Sequence, residues 1–159
     1  NEKTKDFTIS TPEELLKSFK LVLNIITAFL LGVAGISLIV GSIGIANTMY
    51  TSVLERTKEI GTMKAIGAKN SDILIIFSIE SGILGLVGGI IGVLIGFIIG
   101  KTIEFIAINK LGTNLLAVSF PWYLILGCLL FSFFIGVISG FFPAKQASKI
   151  KPADTLRYE

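Results

Sequence analysis

Residues 21–54 read LVLNIITAFLLGVAGISLIVGSIGIANTMYTSVL and contain no charged side chain. Two further apolar runs follow: residues 73–100, in which Glu80 is the single charge, and residues 122–142, which have none. Each run is at least as long as the ~20 residues that a helix needs to cross the hydrocarbon of a bilayer. The pattern therefore predicts an all-α integral membrane protein with three transmembrane helices, with spans at about residues 21–50, 73–100 and 122–142.

The composition agrees with the bilayer as the solvent of this chain. Of its 159 residues, 52% are hydrophobic and 16% are charged, whereas a soluble domain is about 25% charged. A chain of this size could not bury three such helices on all sides. It has no histidine and one cysteine, so neither a disulfide framework nor a Cys/His metal site is expected. The small net charge of +3 argues against a nucleic-acid partner.

Three spans place the two ends of the chain on opposite sides of the membrane. The turn at residues 55–72 and the tail at residues 143–159 together hold eight Lys and Arg residues, and the remaining polar segments hold six. The positive-inside rule therefore favours the turn and the tail as the cytoplasmic side, by a small margin.

The residues before the first span predict a long first helix. Residues 6–10 alternate like a short strand, and then Thr11, Pro12 and Glu14 form a good helix start with a capping box. A continuous helix from Pro12 to about Tyr50 would be roughly 58 Å long, which exceeds the bilayer core. We expect the excess to stand outside the membrane as a stalk; the alternative is an ordinary span with a polar lead-in.

The turn after the first span reads ERTKEIGTMKAIGA over residues 55–68 and keeps a helical pattern. Ile60, Met63 and Ile66 form a narrow apolar stripe, and acids and bases are mixed around it. Gly67 is placed as a stop, and residues 70–72 can start the next span. A helix lying on lipid would be mostly basic, so the mixed charge of this short amphipathic helix favours docking to a protein. The tail is expected to break at Pro143.

Glu80 is the only charge inside a span, and an intramembrane acid is costly enough to indicate a role. It lies near the start of its span, where it could reach the headgroup zone or pair with a neighbour. We expect a local structural role rather than a proton or ion relay, because no second acid, His or Arg accompanies it.

Small residues recur at four-residue spacing in the second and third spans, which lets helix backbones approach closely. General membrane packing and a dedicated dimer seam both explain this pattern. The helix-packing glycines are Gly85, Gly88, Gly89, Gly92, Gly96, Gly136 and Gly140. The sequence GKT at residues 100–102 ends like a phosphate-binding loop, but position 95 is Ile95 rather than Gly, so no nucleotide site is expected.

Two separated motifs carry a resemblance to a known family. The turn, ERTKEIG followed by KAIGA, and the tail, PAKQASKIKPADTLRYE at residues 143–159, are similar to the motifs of FtsX-like (MacB-type) ABC transporter permeases. The resemblance covers nearly the whole chain. It departs modestly at Gln146, where a basic residue is frequent, and at Thr155, where Ala is frequent.

The resemblance implies that this chain is the C-terminal part of a four-span subunit, holding spans two to four. Residues 1–20 would end an extracytoplasmic domain and begin the stalk, and residues 21–159 would form the transmembrane region with a cytoplasmic tail at 143–159. The segment 55–67 would be a coupling helix that docks on a separate ATP-binding subunit. Its docking residues would be Glu55, Arg56, Glu59, Ile60, Met63, Lys64, Ile66 and Gly67.

The resemblance also implies the partners and the site of chemistry. A second permease subunit, most simply an identical copy, would pair with this one in the cell membrane. A periplasmic adaptor is an additional partner that the resemblance allows. ATP and Mg²⁺ would bind to the partner ATPase, so no catalytic residue and no cofactor are expected in this chain. The leading function is the permease subunit of an ATP-driven exporter or mechanotransmission complex. A non-transporting regulator of a cell-wall hydrolase or sensor, and an ion channel using Glu80, are the alternatives.

Overall fold

The computed structural model describes residues 12–111 and 119–150. Within these ranges the chain forms four helices and no strand: α1 (Pro12–Glu55), α2 (Thr57–Ala65), α3 (Asn70–Leu111) and α4 (Trp122–Ala147). Helices α1, α3 and α4 are long and apolar enough to cross a membrane. The predicted all-α fold with three spans is confirmed, whereas the strand expected at residues 6–10 and the cap expected at Thr11 lie outside the described residues.

The helices are longer than the apolar runs that predict them. Helix α3 continues past Gly100 to Leu111, where Lys101 Nζ and Glu104 Oε2 form an ion pair of 2.7 Å one helical turn apart. Pairs at this spacing support a helix outside the apolar segment. The span limits that hydropathy predicts are therefore not the limits of the helices.

The chain divides into two compact units, Asn1–Val40 and Gly41–Glu159. In its described part the first unit consists of the N-terminal portion of α1. This portion begins at Pro12, where the missing N–H of proline costs no hydrogen bond, and carries Glu13 and Glu14 in its first turn. Every described side chain of this unit is exposed, and after the first turns most of them are apolar.

In the second unit α3 and α4 pack through small residues, a contact that we call the α3–α4 seam (Gly82, Gly85 and Gly89 on α3; Ser132, Gly136 and Gly140 on α4). A Cβ added to Gly85 would lie 2.5 Å from the Ser132 carbonyl oxygen and 2.9 Å from Gly136 Cα. A Cβ on Gly136 would lie 2.5 Å from the Ser81 carbonyl oxygen. The backbones approach so closely that no side chain fits between them.

Three further glycines of α3 do not take part in this seam. Gly88, Gly92 and Gly96 are exposed, and a Cβ added to any of them would meet nothing within 4 Å. The predicted packing set therefore divides into two rows on α3. Gly85 and Gly89, with Gly136 and Gly140 of α4, pack inside the chain, and the other row faces outward.

A cluster of buried apolar side chains joins all four helices at one end of the second unit. Its members are Met49 and Val53 of α1, Ile60 of α2, Ile73 and Phe77 of α3, and Ala144 and Ala147 of α4. We call it the terminal cluster. Because each helix contributes at least one buried side chain, the cluster fixes α2 against the ends of the three long helices.

The expected break at Pro143 is not found, and α4 continues through this proline to Ala147. A proline inside a helix removes one hydrogen bond and normally bends or ends it. Pro143, Ala144 and Ala147 are all buried here, and the two alanines belong to the terminal cluster. Tertiary packing of this last turn outweighs the local preference for a break.

Candidate functional site

The junction between α1 and α2 is a one-residue interruption at Arg56. Its backbone has φ −96° and ψ 17°, which is outside the regular helical range. The helical hydrogen-bond pattern nevertheless passes through it, since the Arg56 N–H donates to Ser52 (3.0 Å) and the Ile60 N–H donates to the Arg56 carbonyl (3.0 Å). Helix α2 thus follows α1 with almost no intervening loop.

Helix α2 ends in a tight glycine cap. Gly67 has φ +107°, a conformation that favours glycine over residues with a Cβ. The Gly67 N–H donates to the Lys64 carbonyl (3.1 Å) and the Ala68 N–H donates to the Met63 carbonyl (3.0 Å), which is the Schellman arrangement. The predicted helix stop at Gly67 is confirmed.

The start of α3 follows directly, as the residues 70–72 predict. Asp72 lies in the first turn of α3, and its Oδ2 accepts a hydrogen bond from the backbone N–H of Lys69 (3.0 Å). This acceptor satisfies a backbone donor that the helix itself cannot use. Caps at both ends therefore fix the turn between α2 and α3.

The predicted apolar stripe of α2 divides between two directions. Ile60 is fully buried in the terminal cluster and Met63 packs against it, whereas Ile66 is 84% exposed. A three-residue step falls short of a full helical turn of 3.6 residues. Two such steps rotate the side chain by about 120°, so Ile66 cannot share the direction of Ile60.

Arg56 and Glu80 form an ion pair that ties the α1–α2 junction to α3. Arg56 Nη1 donates to Glu80 Oε1 at 3.3 Å, and the two side chains are 51% and 33% exposed. Glu80 therefore pairs with a neighbour near the start of its span, as the sequence allowed, and that neighbour is an arginine from outside the apolar run. Arg56 precedes Glu80 by 24 residues, and the reversal of the chain through α2 brings the two together. The acid in the apolar run thus has a partner for its charge.

Lys64 makes a contact that sequence reasoning missed. Its Nζ donates hydrogen bonds to the main-chain carbonyl oxygens of Ser148 (2.6 Å) and Ile150 (2.8 Å), just beyond the end of α4. Any residue offers a main-chain carbonyl, so no sequence pattern marks these acceptors. The contact places the end of α4 at the same end of the second unit as α2.

The outward side of α2 carries charges without a partner in the described ranges. Glu55, the last residue of α1, and Lys58 and Glu59 of α2 are exposed, and no hydrogen bond or ion pair engages their side chains within residues 12–111 and 119–150. Together with exposed Ile66 they form the α2 outer face. Of the predicted docking set, Glu55, Glu59 and Ile66 lie on it, whereas Ile60, Met63 and Lys64 are engaged inside the chain.

The described residues contain no group of three or more His, Cys, Asp and Glu side chains that could hold a metal ion. Three helices able to cross a bilayer, closed at one end by a short capped helix with a charged outer side, define a multi-pass membrane protein. A family profile described as "FtsX-like permease C-terminal" matches residues 31–152. The chain belongs to this family of ABC transporter permeases.

The curated relatives agree with this family. The chain is 50% identical over 155 residues to an uncharacterized ABC transporter permease of Methanocaldococcus jannaschii, covering 98% of this chain and 39% of that protein. It is 41% identical over 160 residues to the uncharacterized ABC transporter permease YknZ of Bacillus subtilis, covering 100% of this chain and 38% of that protein.

A third relative carries an ATP-binding part in its name. The chain is 40% identical over 155 residues to the macrolide export ATP-binding/permease protein MacB of Haemophilus ducreyi, covering 98% of this chain and 21% of that protein. The chain therefore spans less than two-fifths of the length of each of these three relatives.

Proposed function

We propose that the chain is the membrane part of a non-catalytic permease subunit in an ATP-driven ABC exporter or mechanotransmission complex. In this proposal a separate ATP-binding subunit holds ATP and Mg²⁺ and docks on α2 from the cytoplasm. Movement then passes along the spans to an extracytoplasmic domain. A second permease subunit completes the complex in the cell membrane, with the C-terminus of the chain in the cytoplasm. Names such as macrolide export belong to relatives, and the cargo of this chain is left open.

One observation carries the proposal: α2 is anchored on one side and free on the other. Ile60 is buried in a cluster that every helix joins, while Glu55, Lys58, Glu59 and Ile66 are exposed on the α2 outer face. An isolated amphipathic helix would need lipid to cover its apolar side. Here the protein covers that side itself, so the charged side is presented in a fixed position.

The mixed charge of the outer face supports a protein partner over lipid. A surface that binds anionic headgroups gains from Lys and Arg and loses from acids, yet two of the three charged residues of the outer face are Glu55 and Glu59. Complementary charges across a protein interface set orientation and association rate. Ile66 adds an exposed apolar anchor of the kind found near the centre of such interfaces.

The pairing of Glu80 with Arg56 argues against the alternative of an ion channel or proton-coupled carrier. Its carboxylate is held by Arg56 at the α1–α2 junction, whereas a relay needs a chain of polar groups through the membrane. On the permease proposal, Glu80→Gln leaves ion flux through proteoliposomes unchanged. A clear loss of ion flux in this variant would favour the carrier instead.

Charge reversal on the outer face tests the docking role. We expect Glu59→Lys in the full-length subunit to reduce co-purification of the ATP-binding subunit and to lower its ATP turnover about tenfold, because like charges then meet at the interface. The exposed acid Glu13, in the first turn of α1, provides the matched control as Glu13→Lys. Co-purification and turnover both at wild-type level in Glu59→Lys, with the spans still folded, would remove α2 as the docking site.

A further inference from the structure

The side chain of Lys64 belongs to α2 but bonds to the end of α4. Its Nζ lies 2.6 Å from the Ser148 carbonyl oxygen and 2.8 Å from that of Ile150, across sequence separations of 84 and 86 residues. The side chain is half-buried rather than extended into solvent. Both distances are short, as expected for hydrogen bonds from a charged donor, which are about twice as strong as neutral ones.

The acceptors of Lys64 belong to the turn that follows the last residue of α4. The last carbonyl groups of a helix have no intrahelical partner and carry partial negative charge. Backbone N–H groups of Ser148, Lys149 and Ile150 turn back to bond the carbonyls of α4 residues 144, 146 and 147 at 2.9–3.3 Å. This turn leaves the carbonyls of Ser148 and Ile150 directed past the helix end, where the Lys64 ammonium meets them.

Apolar contacts join the same two elements beside the ammonium. Ile60 of α2 belongs to the same terminal cluster as Ala144 and Ala147 of α4, and Ile150 packs against this cluster. Ser148 is only 5% exposed. Lys58 and Glu59, the other charged residues of α2, make no such bond among the described residues. Helix α2 therefore cannot shift away from α4 without exposing the apolar contact and breaking both bonds of Lys64.

We propose that Lys64 is a positioning residue that fastens α2 to the C-terminal end of α4 and transmits displacement of α2 to that helix. On this view Lys64 acts inside the permease and does not touch the ATP-binding subunit, although the sequence places it among the docking residues. The inference rests on the proposed function, because the displacement comes from the docked ATPase. It assigns the docking contacts to the α2 outer face and the coupling to the opposite side of the same helix.

The test compares two lysines of α2 in the full-length subunit with its ATP-binding subunit in nanodiscs. In Lys64→Met we expect co-purification of the ATPase to stay at the wild-type level, while stimulation of ATP turnover by the permease falls several-fold. Backbone amide exchange at residues 148–150 should accelerate about tenfold, because two bonds from a charged donor are lost. Lys58→Met, the matched control, should leave this exchange unchanged. Lys64→Arg, which keeps the charge and has enough N–H donors for both carbonyls, should restore both readouts.

Three results would overturn the coupling role. If Lys64→Met releases the ATPase while exchange at residues 148–150 stays unchanged, Lys64 is a docking residue. If exchange accelerates in Lys64→Met but ATP turnover stays normal, the contact is only structural. Failure of Lys64→Arg to restore ATP turnover would lead to the same conclusion. Should Lys64→Met fail to fold, Lys64→Gln takes its place in the same comparison. Failure of the proposed function has a different signature, since the wild-type subunit itself would then neither bind nor stimulate the ATPase, and the inference would fall with it.

Discussion

At the scale of single residues, the structure supplies partners for charges that look isolated in the sequence. Glu80 stands alone in an apolar run, but Arg56 reaches it from the α1–α2 junction at 3.3 Å. A half-exposed pair of this kind contributes about 0–1 kcal/mol where water reaches it, because the charges are screened and two long side chains lose freedom. The pair therefore sets the direction of the junction more than it stabilises the fold.

Reversing the two charges tests the pair. We expect Arg56→Glu to lower the melting temperature in detergent, because two acids then face each other. The double variant Arg56→Glu with Glu80→Arg should recover most of the loss, with a coupling free energy of roughly 1 kcal/mol. Thermal unfolding of the four proteins of this cycle gives the value. A double variant whose loss equals the sum of the single losses would show that the side chains do not interact.

At the scale of elements, close packing of α3 on α4 depends on glycine at a few positions only. Gly85 meets backbone atoms of Ser132 and Gly136 across the α3–α4 seam, while Gly92, on the same helix, has open space around it. In a bilayer, helices associate through close van der Waals packing, because lipid tails are as apolar as the side chains. Glycines seven residues apart on one helix therefore differ in their structural importance.

Alanine substitutions separate the two rows of glycines. Gly85→Ala should destabilise the protein by about 1–3 kcal/mol, because backbone rather than a flexible side chain blocks the new methyl group. Gly92→Ala should be neutral or stabilising by up to about 1 kcal/mol, since alanine favours the helix. Thermal unfolding in detergent measures both. Comparable losses in the two variants would contradict this division, and a loss of dimer in Gly92→Ala would indicate that the outer row packs on a second subunit.

At the scale of the whole molecule, the order of helices predicts which segments share one side of the membrane. Two crossings, by α3 and α4, separate α2 from the end of α4 and so return the chain to the same side, in agreement with the bonds from Lys64 to Ser148 and Ile150. The positive-inside rule favours the cytoplasm for that side by a small margin, and we propose this orientation. ATP would then be available to the ATP-binding subunit that we propose as the partner.

Cysteine labelling tests this orientation. With Cys128 replaced by serine, Lys58→Cys should react with a membrane-impermeant maleimide only after the cells are permeabilised. Glu13→Cys should react in intact cells, because a single crossing, the first span, separates the start of α1 from α2. The positive-inside argument predicts this order of labelling. The reverse order would invert the topology and place α2 outside the cell.

The sequence by itself determined the features that depend on short stretches of chain. Three apolar runs predicted three spans, and the glycine at position 67 and the polar residues 70–72 predicted the limits of the turn between α2 and α3. Hydropathy and capping act within one or two helical turns, so neighbouring residues suffice to predict them. The turn and tail motifs likewise indicated the family that the comparisons then showed.

Only the tertiary structure decided which side chains meet. It shows that one of the two glycine rows of α3 packs on α4, that Ile60 is buried whereas Ile66 is exposed, and that α4 continues through Pro143. It also paired Arg56 with Glu80 and bound Lys64 to carbonyls 84 and 86 residues away. Such contacts follow from how the helices lie beside each other, and a main-chain carbonyl or a helix face gives no residue pattern from which they could be read.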